Sequence, residues 1–139
     1  MKKQIIYSLA IVLATVFVAA GIYAAAAPDV IEMNDPGFTK HTKGIVAFTH
    51  GKHVKDHAIT CGECHHDDAG KPLALKEGDP VKKCSECHSA FELDKADKGM
   101  KKEEKIKKYY KEAVHANCID CHKKQKKGPT KCADCHPKK

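Results

Sequence analysis

Four short motifs, each with two cysteines and a histidine, are the residues of this chain best suited to chemistry. Each motif reads Cys-x-x-Cys-His, the attachment signal for c-type haem, in which the two thiols bond to the haem vinyl groups and the histidine binds the iron. The cysteines are Cys61, Cys64, Cys84, Cys87, Cys118, Cys121, Cys132 and Cys135, and the histidines are His65, His88, His122 and His136. All eight cysteines of the chain fall in these motifs. The sequence therefore predicts four covalently bound haems (heme c).

Two other kinds of cysteine site remain as minor alternatives. Cysteine pairs of this spacing also begin many zinc ribbons, and cysteines of exported proteins commonly form disulfide bonds. Four repeats of the complete five-residue motif favour haem over zinc. A disulfide framework is favoured still less.

Histidines outside the motifs provide the second axial ligands that four haem irons need. Four of the ten histidines close the motifs, and the other six are His41, His50, His53, His57, His66 and His115. Bis-histidine ligation of every iron uses four of these six, whereas Met33 and Met100 are too few for methionine ligation throughout. An iron with both axial positions filled has no open site for a substrate, so the predicted chemistry is electron transfer at low potential.

The spacing of two histidine pairs predicts that the haems lie close together. His65 and His66 are adjacent, so that one binds the haem of its own motif while the other binds a neighbouring haem. His50 and His53 are three residues apart and share one face of a helical turn, from which they reach two different irons. His41 and His57 are expected to be solvent-exposed side chains.

The elements that must position these ligands are short. Residues 29–33 and 44–48 are β-prone, and the turn signal at 34–37 predicts a small hairpin or pair of strands between them. Residues 67–80 are rich in glycine and proline and predict a loop. The best helix is predicted over 101–116, and it is expected to end or bend before His115, which lies off its apolar stripe.

The N-terminal segment has the pattern of a secretory signal peptide. Lys2 and Lys3 precede an apolar run at 5–20, and small residues follow at 24–27. We expect residues 1–26 to be removed on export, with a retained membrane anchor as the alternative. Residues 27–139 then form one haem-binding domain.

The exported part is too polar to fold on apolar side chains alone. Only 16 of the 112 residues from Pro28 onward are Val, Ile, Leu or Phe. Four porphyrins are expected to supply the missing apolar mass, so that folding and cofactor attachment are one event. The formal net charge is +7. Loss of the two N-terminal lysines and addition of eight haem propionates bring the charge to about −3, which argues against nucleic-acid binding.

The set of motifs resembles the class III multihaem cytochromes c, in particular the tetrahaem cytochrome c3 type, with C-terminal similarity to the trihaem cytochromes c7. The resemblance rests on Phe48-Thr49-His50-x-x-His53, on the first motif with its extra His66, and on the three later motifs. It covers nearly the whole exported chain. It implies these axial pairs: His65 with His50, His88 with His66, His122 with His53, and His136 with His115.

The resemblance also implies a periplasmic electron carrier in anaerobic respiration, with redox partners such as a hydrogenase or a membrane-associated cytochrome complex. Two features depart from the family pattern. Many relatives have a longer second and fourth motif, and the gap from His53 to Cys61 is longer here. These departures bear on the partner and the subfamily, and they leave His57 as a rival to His53.

The sequence thus predicts a small multihaem cytochrome: short helices and loops around four haems, a minor N-terminal β-hairpin, and a monomer that carries electrons rather than an enzyme. The alternatives are a terminal reductase of metal ions or a small oxyanion, and a redox sensor or subunit of a larger complex. Lysines near the last two motifs are hypothesised to dock an acidic redox partner around the fourth haem. They are Lys101, Lys102, Lys105, Lys107, Lys108, Lys123, Lys124, Lys126, Lys127 and Lys131.

Overall fold

A computed structural model describes residues 27–138 of the chain. The predicted signal peptide, residues 1–26, lies outside the described residues. Within 27–138, no helix is both long enough and apolar enough to cross a membrane.

The described chain consists of short helices and loops beside one small sheet, as the sequence predicts. The strands are β1 (Ile31–Glu32) and β2 (Ala47–Phe48); the helices are α1 (His50–Lys55), α2 (Cys84–Cys87), α3 (Lys102–Lys108), α4 (Tyr110–His115), α5 (Cys121–Gln125) and α6 (Cys132–Cys135). Two 3₁₀ turns, Cys61–Glu63 and Lys95–Gly99, and a π turn, Ala116–Asp120, complete the order. Residues 67–80 form the predicted loop.

The sheet is the predicted pair of short strands. β1 and β2 are antiparallel, with Ile31 opposite Phe48. The turn signal is confirmed, because the N–H of Phe38 donates to the carbonyl of Asp35 at 3.3 Å. The pairing brings the end of β2 next to the start of α1, where His50 is the first helical residue.

The predicted helix over 101–116 is present but differs from the prediction in two ways. It is interrupted at Tyr109, whose backbone is extended (φ −102°, ψ 123°). It also does not end near residue 116, because helical dihedrals continue through the π turn into α5. The third Cys-x-x-Cys-His motif favours a helical turn of its own, and this turn joins α4 in one stretch from 110 to 125. The bend therefore lies before His115, as predicted, but the helical chain continues after it.

The apolar core of the described residues is very small. Its buried hydrophobic residues are Tyr109, Tyr110 and Ala113, with exposed fractions of 2%, 8% and 9%. Tyr110 stacks on Phe91, with 5.2 Å between ring centres. Phe38 meets the edges of both rings, at 5.0 Å from Phe91 and 5.7 Å from Tyr110. This cluster is too small to organise about 110 residues by itself, in line with the polarity of the sequence.

Candidate functional site

A single helical turn shapes the cysteine motifs. In the first, second and fourth motifs the N–H of the histidine donates to the carbonyl of the first cysteine, each time at 2.8 Å. The third motif lies within the π turn and the start of α5. A helical turn places residues three and four apart on the same side, so the first cysteine, the second cysteine and the histidine point toward one volume.

An acidic residue stands before the second cysteine in every motif, a feature that the sequence analysis missed. These residues are Glu63, Glu86, Asp120 and Asp134. In α2 the carboxylate of Glu86 accepts from the N–H of Lys83 at 2.7 Å, and in α6 Asp134 accepts from the N–H of Lys131 at 3.2 Å. Glu86 and Asp134 thereby cap the helical turns that space their own cysteines. The signal was visible in the sequence, since the same position is acidic four times.

Histidine rings meet in pairs, and each pair joins a motif histidine to one from elsewhere in the chain. Between ring centres the separations are 6.1 Å for His53 and His122, 5.8 Å for His66 and His88, and 6.2 Å for His115 and His136. Three of the four motif histidines thus lie near a histidine from another segment of the chain.

His65, the histidine of the first motif, interacts electrostatically with His50. The pKa of His65 is lowered by burial first, and then by the charges of His50 and His66. Two proposed ligands of one iron, His50 and His65, are therefore within electrostatic reach of His66, which is proposed for the next iron. Phe48 lies beside this group, with its ring centre 5.9 Å from that of His50 and 4.9 Å from that of His53.

The ring separations fit a metal ion held between the two histidines of a pair. A bond from imidazole nitrogen to a transition metal is about 2 Å and the ring centre lies roughly 1 Å behind the nitrogen, so two rings on opposite sides of one metal have centres about 6 Å apart. The separations of the three pairs agree with this value, and so does the 6.0 Å between His53 and His57, so that the distance alone does not select the partner of His53. Among residues 27–138, no group of three or more His, Cys, Asp or Glu side chains converges on one point.

Backbone carbonyls fix the protonation of the histidine rings. The acceptors are the carbonyls of Thr49 for His53 (2.8 Å), Asp67 for His66 (2.7 Å), Lys107 for His88 (3.1 Å), Pro129 for His122 (2.7 Å) and Gly44 for His136 (2.8 Å). A carbonyl oxygen only accepts, so Nδ1 carries the proton in each ring. The lone pair is then on Nε2, where a metal binds, and the carbonyl holds the ring in orientation.

All eight cysteine thiols of residues 27–138 are free. Burial raises the pKa of Cys118 to about 11, and the nearby thiol of Cys64 adds to the effect. The side chain of Asn117 hydrogen-bonds Cys64, so the first and third motifs touch. None of the eight cysteines, all of which lie within residues 27–138, is joined in a disulfide bond.

His41 and His57, the two histidines outside the predicted pairs, differ in exposure. His57 is exposed, as predicted, and its ring meets the edge of His53 at 6.0 Å. The stacked partner of His53 is His122 instead. The prediction that His41 is exposed is wrong, because this residue is half-buried and its ring packs 5.4 Å from that of Phe38. The turn at 35–38 brings Phe38 back over the chain at this point.

The lysines near the last two motifs form two sets with different surroundings. The first set is Lys101, Lys102, Lys105, Lys107 and Lys108, and the second lies between the third and fourth motifs. Three lysines of the first set have partners, since Lys102 pairs with Asp120 at 3.1 Å, Lys108 pairs with Asp97, and Lys105 donates to the Lys98 carbonyl at 2.7 Å. The second set is exposed, and within residues 27–138 its ammonium groups have no ion-pair partner. The members of the second set are Lys123, Lys124, Lys126, Lys127 and Lys131.

Comparison with known proteins gives consistent matches. The sequence model of the class III cytochrome c family matches residues 26–136. A cytochrome c3 of Maridesulfovibrio salexigens is 38% identical over 117 residues, which are 81% of this chain and 97% of that protein. A cytochrome c3 of Desulfovibrio desulfuricans is 34% identical over 116 residues, with the same coverage of 81% and 97%. A cytochrome c7 of Geobacter metallireducens is 41% identical over 58 residues, 42% of this chain and 52% of that protein. These matches confirm the family resemblance found in the motifs.

Proposed function

This chain belongs to the class III cytochrome c family, and from that premise we propose that it is a periplasmic, low-potential electron carrier with four bis-histidine c-type haems. The observation that carries the proposal is the meeting of motif histidines with histidines from other segments, at ring separations that fit one metal ion between two imidazoles. Eight cysteines at the motif spacing supply four pairs of thiols for covalent attachment.

The proposed axial pairs follow the ring contacts. His122 pairs with His53, His88 with His66, and His136 with His115; the fourth pair, His65 with His50, follows the family resemblance. His57 is left out, because a haem needs one motif histidine and His122, not His57, supplies it beside His53. With both axial positions taken by histidine, no iron has a position open for a substrate, which supports a carrier rather than a terminal reductase.

The chain holds its proposed ligands in orientation, and burial favours the neutral form of two of them. Burial lowers the pKa of His65 and of His115, and in both cases a second histidine adds to the shift. A neutral imidazole has the free lone pair that ligation needs. A haem held at each histidine pair would supply reversible one-electron transfer between a donor protein and an acceptor protein. Because the ligands are held by backbone carbonyls, the change in charge needs little movement of the chain.

Three short backbone segments each carry residues of two different proposed haem centres. His65 and His66 are consecutive, His50 and His53 share α1, and His115 lies three residues before Cys118 in one helical stretch. Each stretch binds two different centres, so neighbouring haems are tied together by no more than a few residues of backbone. Short separations favour fast exchange of electrons, and charge at one centre shifts the potential of the next.

The location and the partners are part of the proposal. Residues 1–26 act as a cleaved export signal, and the remaining domain works as a monomer in the periplasm. The exposed lysines at positions 123, 124, 126, 127 and 131 lie in the segment between the third and fourth motifs, and they dock an acidic redox protein such as a hydrogenase.

A spectroscopic titration of the exported, haem-loaded protein tests the proposed ligation. We expect four covalently bound haems per chain, six-coordinate low-spin iron throughout, low potentials, and no binding of carbon monoxide to the native reduced form. Fewer than four haems contradicts the cofactor assignment. A high-spin fraction that binds carbon monoxide favours the terminal reductase instead.

Electron transfer to an acidic redox protein tests the lysine surface. We expect the bimolecular rate to fall with added salt, and to fall at low salt when Lys123 and Lys124 are both changed to Glu. Lys71→Glu is the matched control, because Lys71 is an exposed lysine beside the first motif. A rate that is independent of ionic strength, or equal losses in the control, excludes this docking surface.

A further inference from the structure

The carbonyl that orients His88 is available only because a helix is interrupted. In an uninterrupted α-helix the carbonyl of Lys107 accepts from the N–H four residues later. Here Tyr109 is extended, the helix α3 ends at Lys108, and the Lys107 carbonyl accepts from Nδ1 of His88 at 3.1 Å instead. Because the helix is interrupted, the Lys107 carbonyl is free to orient His88, a proposed haem ligand.

A two-bond bridge fastens the His88 segment to the same interruption. The N–H of Ala90 donates to the carbonyl of Lys108 at 3.3 Å, and the N–H of Tyr110 donates to the carbonyl of Ala90 at 3.0 Å. Ala90 lies two residues after His88. Both the ring and the backbone of this segment therefore depend on where residues 107–110 lie.

The side chain of Tyr109 holds the interruption in place. Tyr109 is only 2% exposed, and its hydroxyl donates to the Asp97 carboxylate at 2.6 Å while accepting from the N–H of Asp94 at 3.2 Å. The ammonium of Lys108 pairs with the same carboxylate oxygen. Asp97 therefore binds two consecutive residues at the point where the helix is interrupted.

We propose that Asp97 and Tyr109 are positioning residues that hold the Lys107 carbonyl against His88 and thereby lower the reduction potential of the haem bound by His88 and His66. The inference rests on the proposed function, because it concerns a haem at that histidine pair. A hydrogen bond from Nδ1 to a carbonyl makes the imidazole a stronger donor, and a stronger donor favours the oxidised metal. Loosening the carbonyl therefore raises the potential of that centre most, and the other three shift only as far as their charge coupling to it.

The test compares Tyr109→Phe, Asp97→Asn and the double variant in the haem-loaded protein. For each single variant we expect the oxidised-to-reduced ratio of the His66–His88 centre at a fixed potential to fall by up to about tenfold, which is about 59 mV for a one-electron couple. The His88 ring and its haem should also shift in the NMR spectrum. Because both residues act through one contact, the double variant should shift no further than the larger single change.

Asp29→Asn is the matched control, since Asp29 is an exposed carboxylate in an ion pair with Lys55 at 2.8 Å. It should leave the His66–His88 centre unchanged. The inference is overturned if the four centres shift together, if none shifts more than in the control, or if the two single changes add. Should Tyr109→Phe not accumulate, Asp97→Asn decides alone. Failure of the proposed function shows separately, as missing low-spin signals in the unmodified protein.

Discussion

A methyl group added at Gly128 should displace the ring of His122. Gly128 has φ +84°, and a Cβ built there lies 2.6 Å from Cδ2 and 2.8 Å from Nε2 of the imidazole. The next residue, Pro129, accepts the Nδ1 hydrogen bond of the same ring at 2.7 Å. Gly128 thus lets the backbone approach the face of a proposed ligand, and Gly128→Ala closes this space.

The cost of Gly128→Ala can be divided into two parts. A non-glycine residue in the left-handed region costs about 1–2 kcal/mol. Carbon atoms in contact prefer separations of about 3.5–4.0 Å, so the ring has to move by about 1 Å, and overpacking of this kind costs about 1–3 kcal/mol. We therefore expect a loss of about 2–5 kcal/mol in the free energy of unfolding, together with weaker ligation by His122.

Gly70→Ala separates the backbone cost from the cost of the contact with His122. Gly70 has nearly the same dihedral, φ +80°, but no atom lies within 4 Å of its added Cβ. The control should lose only the backbone part, about 1–2 kcal/mol, and keep all four centres low-spin. Denaturant unfolding of the haem-loaded variants measures the stability, and carbon monoxide binding to the reduced forms measures ligation. Equal losses in both variants, with no carbon monoxide binding by Gly128→Ala, would refute the reasoning.

Three further predictions concern a ligand, a helix cap and acid stability. His53→Ala should produce one high-spin centre that binds carbon monoxide, whereas His57→Ala should retain four low-spin centres; the opposite result would make His57 the ligand. Glu86→Ala should lower the free energy of unfolding by about 1 kcal/mol, because the carboxylate caps the turn of the second motif, and thermal unfolding measures this loss. The pKa of Asp97 is held below 3.8 by hydrogen bonds, first from Lys108. Its contribution to stability is therefore complete above that pH and is lost as the pH falls through the folded pKa, so acid unfolding of Asp97→Asn should lack this component.

The local parts of the structure could be predicted because their causes lie within a few residues. The turn at 34–37, the helical placement of His50 and His53, and the loop at 67–80 all follow from neighbouring residue types. The family resemblance supplied the histidine pairs, and the rings of three pairs lie at a fitting distance. The assignment of the cysteines and histidines as haem ligands stays a prediction.

The interruption at Tyr109 could not be predicted, because its causes are remote in sequence. Ala90 supplies the backbone partners and Asp97 supplies the partner of the hydroxyl. The apolar spacing from Ile106 onward is that of an ordinary helix and contains no sign of either contact. The close approach of Gly128 to His122 is likewise a tertiary contact, since glycine between lysines and a proline predicts only a turn.

The small core bears on how the protein accumulates in the cell. Of the described residues, three apolar side chains are buried, so on the proposed function a chain without its porphyrins should be an open substrate for proteases. We expect that only haem-loaded copies persist and that turnover removes the rest. The amount of this protein should therefore follow the supply of haem as closely as it follows the rate of translation.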